Sequence, residues 1–288
     1  MIKTCFNEGC SRYCAGHRIL KDMELCEKCG FDYIDIQECC LTPELESGKC
    51  TLEALGEWLQ NHRLKLYSYN ALEDFNMRKT KAEHKAVMAH LHEIIRRCNI
   101  LGCKMIVLCP SKDLDTPATI PEIRENTVMV LREMLEQVKP YGIKLALEFC
   151  GFPTMSINRF QQAYEIIQQI NSPLLGITLD QAHFHSMASD WTDLQQADGS
   201  KIFTWHLNDL EDMPCGASYY DVTKRLFPGD SRGCMDHARY ADILKSIGYE
   251  GACCIEVFRP EYYALSQEEN IQMAALCVRE HLKQYILK

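Results

Sequence analysis

The sequence of 288 residues contains no long hydrophobic run. None of its apolar stretches approaches the roughly 18 residues that a membrane-spanning helix requires. The first segment, MIKTCFNEGCSRYCAGH, also lacks the apolar core and small-residue cleavage site of a secretory signal. We therefore expect no membrane partner and a cytoplasmic location.

Positive charge is also in short supply. Lysine and arginine number 31 against 40 acidic residues, which gives a formal net charge of -9. Proteins that bind nucleic acids neutralise the phosphates with a basic face. The balance therefore argues against a nucleic-acid partner, including the DNA substrate of a metal-dependent endonuclease.

A glycine-rich phosphate-binding loop is missing as well. A dinucleotide-binding sheet places closely spaced glycines directly after its first strand. The corresponding loop reads NEGCSRYCAGH, and Gly9 and Gly16 lie too far apart for that fingerprint. This argues against an open, doubly wound sheet. Because no cluster of basic residues is present either, we expect an unphosphorylated substrate.

Cysteine, by contrast, is abundant, with 17 in the chain. An odd total in a chain of this length is not typical of a secreted disulfide framework. Cys26 and Cys29 form a C-x-x-C pair, but the adjacent Cys39 and Cys40 do not have the spacing of a second zinc-binding pair. We interpret the cysteines as small buried hydrophobic residues. A redox pair or half a zinc site is the alternative for the C-x-x-C.

Short apolar runs alternate with longer amphipathic segments along the whole chain. Hydrophobic residues recur at spacings of three and four in the longer segments, which indicates helices. The short runs predict strands at 2–6, 32–37, 64–69, 104–109, 143–149, 174–180, 202–207 and 252–257. The longer segments predict helices at 19–29, 51–62, 81–101, 121–139, 159–170, 189–198, 236–247 and 266–285.

Glycines punctuate this alternation. Gly30, Gly102, Gly142 and Gly248 each follow a helical segment and precede a strand, which is the position of a C-cap glycine. No linker or low-complexity stretch interrupts the series. Eight strand–helix pairs are the number that closes a parallel α/β barrel. The sequence therefore predicts a single-domain (β/α)8 TIM barrel over residues 1–288.

Ionisable residues end the last four predicted strands, namely Glu148, Asp180, His206 and Glu256. The carboxyl ends of barrel strands converge on the face where active sites are found. Three carboxylates placed close together at low dielectric repel one another unless they are protonated or share a cation. We therefore predict that the four residues bind one divalent metal ion. The competing interpretation is four separate loop or salt-bridge residues.

The types of ligand restrict the identity of the ion. Oxygen-rich coordination favours Mg²⁺ or Mn²⁺, whereas an imidazole also suits Co²⁺, Fe²⁺ or Zn²⁺. We favour Mn²⁺, with Zn²⁺, Co²⁺ and Mg²⁺ as alternatives. Four protein ligands in a six-coordinate site leave about two positions for adjacent substrate oxygens.

Further polar residues fall near the same strand ends. The run DQAHFH follows the sixth strand, the RLFPG segment follows the seventh, and asparagines end the first and third strands. We predict that such residues bind substrate hydroxyl or carbonyl oxygens, with support of the metal ligands or loop ion pairs as the alternative. The predicted substrate-binding residues are His183, His185, Arg225, Asn70 and Asn7.

In these local contexts the chain resembles the sugar isomerase/epimerase family with xylose-isomerase-like barrels. The similar stretches are LCEKCGFDYIDI, YNALEDFNMR, IKLALEF, FQQAYEII, LDQAHFH, QADGSKIFTWHLNDLED, RLFPG and IEVFRPEYY. The resemblance implies that the four strand-end residues bind one divalent metal, and that Glu148 and Glu256 form the catalytic acid/base pair. It also implies that His183 and Arg225 contact the substrate. The loops GCSRYCAGH and PGDSRGCMD depart from the pattern of the family.

The resemblance implies a metal-dependent isomerase that acts on a cyclic keto-polyol (an inosose) or a related keto-sugar through an enediolate. A ketose 3-epimerase needs the same catalytic parts, because return of the proton to the opposite face of one carbon inverts that carbon. A lyase or dehydratase acting on a 3-oxo-glycoside or a dehydroshikimate-type substrate begins with the same proton abstraction. A sugar-binding barrel is the non-enzyme alternative. A homo-oligomer is compatible with the sequence.

Overall fold

Eight parallel strands close into a barrel in the computed structural model, which describes residues 2–114, 117–216 and 221–287. The order around the barrel is β1-β10-β7-β6-β5-β4-β3-β2. These strands are β1 (Thr4–Asn7), β2 (Tyr33–Gln37), β3 (Lys65–Leu72), β4 (Met105–Leu108), β5 (Lys144–Glu148), β6 (Leu175–Asp180), β7 (Ile202–Leu207) and β10 (Ala252–Ile255). A separate antiparallel ribbon joins β8 (Asp209–Leu210) and β9 (Arg225–Leu226). The predicted barrel fold is confirmed.

Helices alternate with the strands and surround the barrel. They are α1 (Ile19–Lys28), α2 (Glu38–Glu46), α3 (Leu52–Asn61), α4 (Lys81–Leu101), α5 (Ile120–Val138), α6 (Phe160–Ile170), α7 (Gln181–Ser186), α8 (Trp191–Gln195), α9 (His237–Ser246), α10 (Pro260–Tyr263) and α11 (Gln267–Tyr285). Short 3-10 turns occupy Glu8–Cys10, Lys139–Tyr141, Gly199–Lys201 and Val222–Lys224. The described helices include none that is both long enough and apolar enough to cross a membrane.

Local sequence signals set the ends of the long helices. Thr80, Thr119 and Ser266 each cap a helix and exchange hydrogen bonds with a glutamate three residues later. At the other end, the four glycines predicted as C-caps all adopt a positive φ, between 61° and 82°. That conformation is open to glycine at no steric cost.

The predicted helices differ from the structure at three short helices. The segment predicted as a helix at 189–198 is helical only over Trp191–Gln195. Helix α2 was not predicted, because it contains Pro43 and has a weak amphipathic pattern. Helix α7 was not predicted either, since six residues are too few to display a helical period.

Alternation along the strands determines what faces the barrel interior. Successive strand side chains point to opposite faces, so Trp205 and His206 on β7 point in different directions. Trp205 is fully buried and packs edge-on against His281 of α11, with the ring centroids 5.4 Å apart. Asp180 pairs in register with His206, which places both side chains at one level of the barrel.

Candidate active site

The four ionisable residues at the strand ends form one buried cluster. Ligand atoms from Glu148, Asp180, His206 and Glu256 all lie within 4.8 Å of one another. Their side chains are at most 6% exposed. The structure therefore brings together the whole predicted ligand set at the carboxyl end of the barrel.

His206 lies at the centre of this cluster. Its Nδ1 atom is 3.2 Å from Glu148 Oε1 and 3.3 Å from Glu256 Oε2. The same nitrogen lies 3.9 Å from Asp180 Oδ2. One imidazole nitrogen thus faces three carboxylates from three different strands.

The arrangement fits a divalent metal ion. Although His206 Nδ1 is buried and close to these oxygens, it forms no hydrogen bond with the described residues. A buried polar atom without a hydrogen bond is costly. Three carboxylates and one imidazole are ligands that Mn²⁺, Zn²⁺ and related ions accept. A shared cation would give the orphaned nitrogen a partner and reduce the repulsion among the carboxylates.

The two glutamates differ in their electrostatic environment. Burial raises the pKa of Glu148 to about 7, and His206 opposes that shift. Burial acts on Glu256 in the same sense, but His206 and Arg225 together hold its pKa well below the usual value. Burial lowers the pKa of His206, but Glu256 and Glu148 outweigh it and raise that pKa well above the usual range. One glutamate is therefore firmly ionised, whereas the other titrates near neutrality.

Arg225 reaches the cluster from the β8–β9 ribbon. Its Nη1 atom donates to Glu256 Oε2 at 2.6 Å and lies 3.0 Å from Asp180 Oδ2. The guanidinium is fully buried and lies over the ring of Phe258, 4.9 Å from the centroid. A fixed positive charge therefore lies beside the proposed metal ligands, and the predicted contact of Arg225 with substrate stays a prediction.

His183 also faces the cluster. Its Nε2 atom lies 3.9 Å from Glu148 Oε1 and 3.4 Å from Arg225 Nη2. Its backbone N–H donates to Asp180 Oδ1, so Asp180 caps α7 and fixes the position of the histidine. Burial lowers the pKa of His183 to about 4. The imidazole is therefore neutral at pH 7 and able both to donate and to accept a hydrogen bond.

His185 and Asn70 do not join the cluster. Residues two apart on a helix do not share a face, so His185 turns away from His183 and its Nε2 atom bonds the carbonyl of Met213 at 2.8 Å. Asn70 Nδ2 lies 3.3 Å from Asp35 Oδ2. Both contacts are within the protein, so their predicted role in substrate binding stays a prediction without support from this geometry.

Two further side chains support the cluster, and one of them, Asp35, was not singled out from the sequence. Asp35 on β2 lies 3.7 Å from the second nitrogen of His206. Asn7 Nδ2 donates to both Asp35 Oδ2 and Glu256 Oε1, at 2.9 and 2.8 Å. Both of these hydrogen bonds lie within the protein, so the predicted contact of Asn7 with substrate stays a prediction. Like the four ligands, Asp35 comes after apolar residues in the sequence, but it lies inside its strand instead of at the end.

Asn208 positions Asp180. Its Nδ2 donates to Asp180 Oδ2 at 3.0 Å, and its Oδ1 accepts from the backbone N–H of Ala182 at 3.0 Å. The side chain is fully buried. Both ends of the amide are therefore used to hold one carboxylate, and nothing in the sequence marked this residue.

A cavity of about 380 Å³ opens beside the cluster. Its lining includes Glu73, Cys109, Lys112 and Cys150, which follow the carboxyl ends of β3, β4 and β5. Cys109 Sγ lies 3.9 Å from Glu148 Oε2, so the cavity borders the proposed metal centre. Its volume lies in the range of small-molecule sites, and its lining combines charged side chains such as Glu73 and Lys112 with apolar ones such as Phe152.

A larger cavity of about 550 Å³ lies at the opposite end of the barrel. Its lining includes Lys104, Lys144, Ile202 and Gly251, which begin or precede strands. The amino-terminal face of a (β/α)8 barrel contributes to stability, and catalysis takes place at the other face. We therefore place the candidate active site at the smaller cavity.

Fold and site define the class of the protein. The sequence model of the xylose isomerase-like TIM barrel family matches residues 23–281, and the chain belongs to that family. The resemblance noted in the sequence is confirmed.

Relatives of known activity agree with this assignment. An inosose isomerase of Bacillus velezensis is 36% identical over 100% of this chain and 99% of its own. The inosose isomerase of Bacillus subtilis is 38% identical over 95% of each chain. A 3-dehydroshikimate dehydratase of Pseudomonas putida is 24% identical over 59% of this chain and 26% of its own.

Among solved structures, the IolI protein with a bound zinc atom matches with a TM-score of 0.93 and 36% identity, covering 100% of both chains. An L-ribulose 3-epimerase matches with a TM-score of 0.76 at 18% identity over 99% of this chain and 96% of that one, which shows the shared fold alone. The protein is therefore an enzyme of the isomerase type with a candidate metal site.

Proposed function

We propose that the protein is a metal-dependent isomerase of a cyclic keto-polyol such as an inosose. The observation that carries the proposal is the buried convergence of three carboxylates on His206 Nδ1, beside a cavity of about 380 Å³. The full-length similarity to inosose isomerases supports the choice of substrate class.

The ion would be held by Glu148, Asp180, His206 and Glu256. When bound, a divalent ion polarises a carbonyl oxygen and acidifies the neighbouring C–H bond. The zinc in the IolI structure supports a divalent ion in this family. Oxygen-rich coordination also keeps Mn²⁺, Co²⁺ and Mg²⁺ in our proposal.

The two glutamates provide the acid/base pair. Glu256 is fixed by hydrogen bonds from Asn7 and Arg225, whereas the contact of Glu148 Oε2 with Cys109 Sγ is long, at 3.9 Å. Glu148 is therefore the less constrained carboxylate and accepts the proton from the carbon next to the carbonyl. Return of a proton to the former carbonyl carbon, with proton transfer between the two oxygens, moves the carbonyl by one position. Glu256 acts as the second acid/base group in this proton transfer.

Arg225 and His183 orient the substrate. Both side chains are buried beside the glutamates, so each offers a preorganised donor to an oxygen that gains negative charge as the proton leaves. His183 remains neutral at pH 7 because burial lowers its pKa to about 4. It can therefore donate to one substrate oxygen without adding a second full charge.

The test is proton exchange from solvent. The metal-loaded protein is incubated with scyllo-inosose in D₂O, and carbon-bound deuterium and product identity are followed by NMR. We expect deuterium at the carbon next to the original carbonyl and a product whose carbonyl has moved. Exchange with inversion at C3 of fructose or tagatose, and none with the inosose, would make the protein a ketose 3-epimerase. No exchange with any of these by metal-loaded protein would exclude the proposal and favour a lyase acting on an oxidised glycoside.

A further inference from the structure

A second cluster of metal-binding side chains lies near the ends of the first two strands. Glu8 follows β1 directly, His17 lies in the loop before α1, and Cys40 lies in the first turn of α2. One ligand atom from each residue lies within 4.8 Å of the other two. We propose that Glu8, His17 and Cys40 bind a second divalent ion of the zinc type, separate from the ion at the barrel mouth.

The three ligand types are those that zinc accepts. Zinc binds Cys Sγ, His nitrogen and carboxylate oxygen at about 2.0–2.3 Å, which places neighbouring tetrahedral ligands roughly 3.3–3.8 Å apart. In the structure His17 Nε2 already lies 3.5 Å from Glu8 Oε1. Cys40 Sγ lies within 4.8 Å of the other two ligand atoms and would have to approach them by at most about 1.5 Å to reach tetrahedral spacing. Three protein ligands leave the fourth position for a water molecule.

An orphaned carboxylate oxygen points to a missing ligand. Glu8 is fully buried, and its Oε2 atom accepts a hydrogen bond from the backbone N–H of Gln37 at 2.9 Å. Its Oε1 atom accepts no hydrogen bond from the residues that the structure describes. That oxygen is the one that faces His17. A buried oxygen without a hydrogen bond costs free energy that a bound cation would recover.

The surrounding charge also favours a cation. Asp22 is fully buried, and its carboxylate acts on that of Glu8 through space. Glu44, another nearby carboxylate, already has hydrogen-bond partners, since it accepts from Arg18 and from the N–H of Ile19. His17 Nε2 lies 3.0 Å from Asp22 Oδ2. Metal binding would exchange that hydrogen bond for a metal–nitrogen bond and leave Asp22 beside the new charge.

Cys39 provides a matched control. It is adjacent to Cys40 but exposed, and its Sγ atom lies 3.9 Å from Arg12 Nη1. Cys39 is not among the three residues whose ligand atoms converge. Replacing Cys39 therefore removes a neighbouring thiol without removing a proposed ligand.

Cobalt substitution tests the proposal, because the four residues at the barrel mouth include no thiolate. Metal-free, reduced full-length protein is titrated with Co²⁺, and bound metal and the absorption spectrum are recorded. We expect two equivalents of Co²⁺ per chain and a thiolate-to-cobalt charge-transfer band. Cys40→Ser should lose the band and one equivalent, whereas Cys39→Ser should keep both. Glu8→Gln should keep the fold and weaken binding of the second ion.

Two results would overturn the site. One is a wild-type spectrum without a charge-transfer band at saturating Co²⁺, which decides the question even if Cys40→Ser does not fold. The other is a band that survives in Cys40→Ser, which would assign the thiolate to another cysteine. Neither result bears on the isomerase proposal, which is judged by deuterium exchange.

Discussion

Arg225 Nη1 lies 2.6 Å from Glu256 Oε2, and both side chains are buried. The same nitrogen lies 3.0 Å from Asp180 Oδ2. A permanent positive charge thus sits between two of the proposed metal ligands. It keeps Glu256 ionised, and it competes with a metal ion for the same oxygens.

Replacement of Arg225 should separate catalysis from metal binding. In Arg225→Met we expect turnover to fall by roughly 10²–10³-fold, the usual cost of removing one donor that stabilises an oxyanion. Metal affinity should be unchanged or tighter, because the competing charge is gone. The turnover of Arg225→Lys should lie between that of the wild type and that of Arg225→Met, since lysine keeps the charge but not the planar guanidinium. Parallel loss of metal and activity would show that Arg225 acts by holding the metal site together.

Asn208 should control metal affinity through Asp180. In Asn208→Ala we expect divalent-metal affinity to fall by roughly 10–100-fold, which is typical when the partner of a ligand is removed. Isothermal titration of metal-free protein measures the change. The exposed Asn61, whose Nδ2 donates to Glu57 O, offers a control as Asn61→Ala. Equal metal affinity in Asn208→Ala and the control would exclude a positioning role.

Metal removal should abolish turnover and lower stability together. Chelation leaves three buried carboxylates around His206 without their cation, so we expect activity to vanish and to return on addition of Mn²⁺ or Zn²⁺. An ion at 1,000 times its Kd adds about 4 kcal/mol to the free energy of unfolding. Thermal unfolding with and without metal measures this. Full turnover by protein that elemental analysis shows to be metal-free would refute the metal-dependent mechanism.

His281 should make the fold sensitive to acid. Burial lowers its pKa to about 3, so between that value and the unfolded pKa of about 6.5 the unfolded chain binds more protons. The neutral His281 ring therefore contributes its full share to the free energy of unfolding above pH 6.5, and that contribution is lost as the pH falls. From pH 6.5 to 5 the free energy of unfolding should drop by about 2 kcal/mol.

The variant His281→Phe isolates this effect. It keeps an aromatic ring against Trp205 and His237 but cannot take up a proton. Urea unfolding at pH 7.5 and pH 5 should show a smaller loss of stability in the variant than in the wild type. An identical loss in both proteins would assign the acid sensitivity to other groups.

The barrel could be predicted from the sequence because the patterns that indicate its strands and helix ends each lie in a short stretch of the chain. Each strand is a short apolar run, and glycines such as Gly102 and Gly142 mark the helix ends with a positive φ. The four candidate ligands could also be predicted, since each lies at a strand end and strand ends converge in any closed parallel barrel.

The rest of the site depends on tertiary contacts that no local pattern encodes. Asn208 and Asp35 matter because of what they touch across strands. The short helix α7 turns His185 toward Met213, and a helix of six residues is too brief to recognise from its period. The cluster around Glu8 joins residues that follow β1, precede α1 and begin α2, and no local pattern in the sequence marks them as neighbours.

The most direct test of the account is anomalous diffraction from crystals of the metal-loaded protein. We predict a strong peak among Glu148, Asp180, His206 and Glu256, at about 2.0–2.3 Å from one atom of each residue. Absence of a peak there, in protein that is metal-loaded and catalytically active, would contradict the central claim that these four residues hold the catalytic ion.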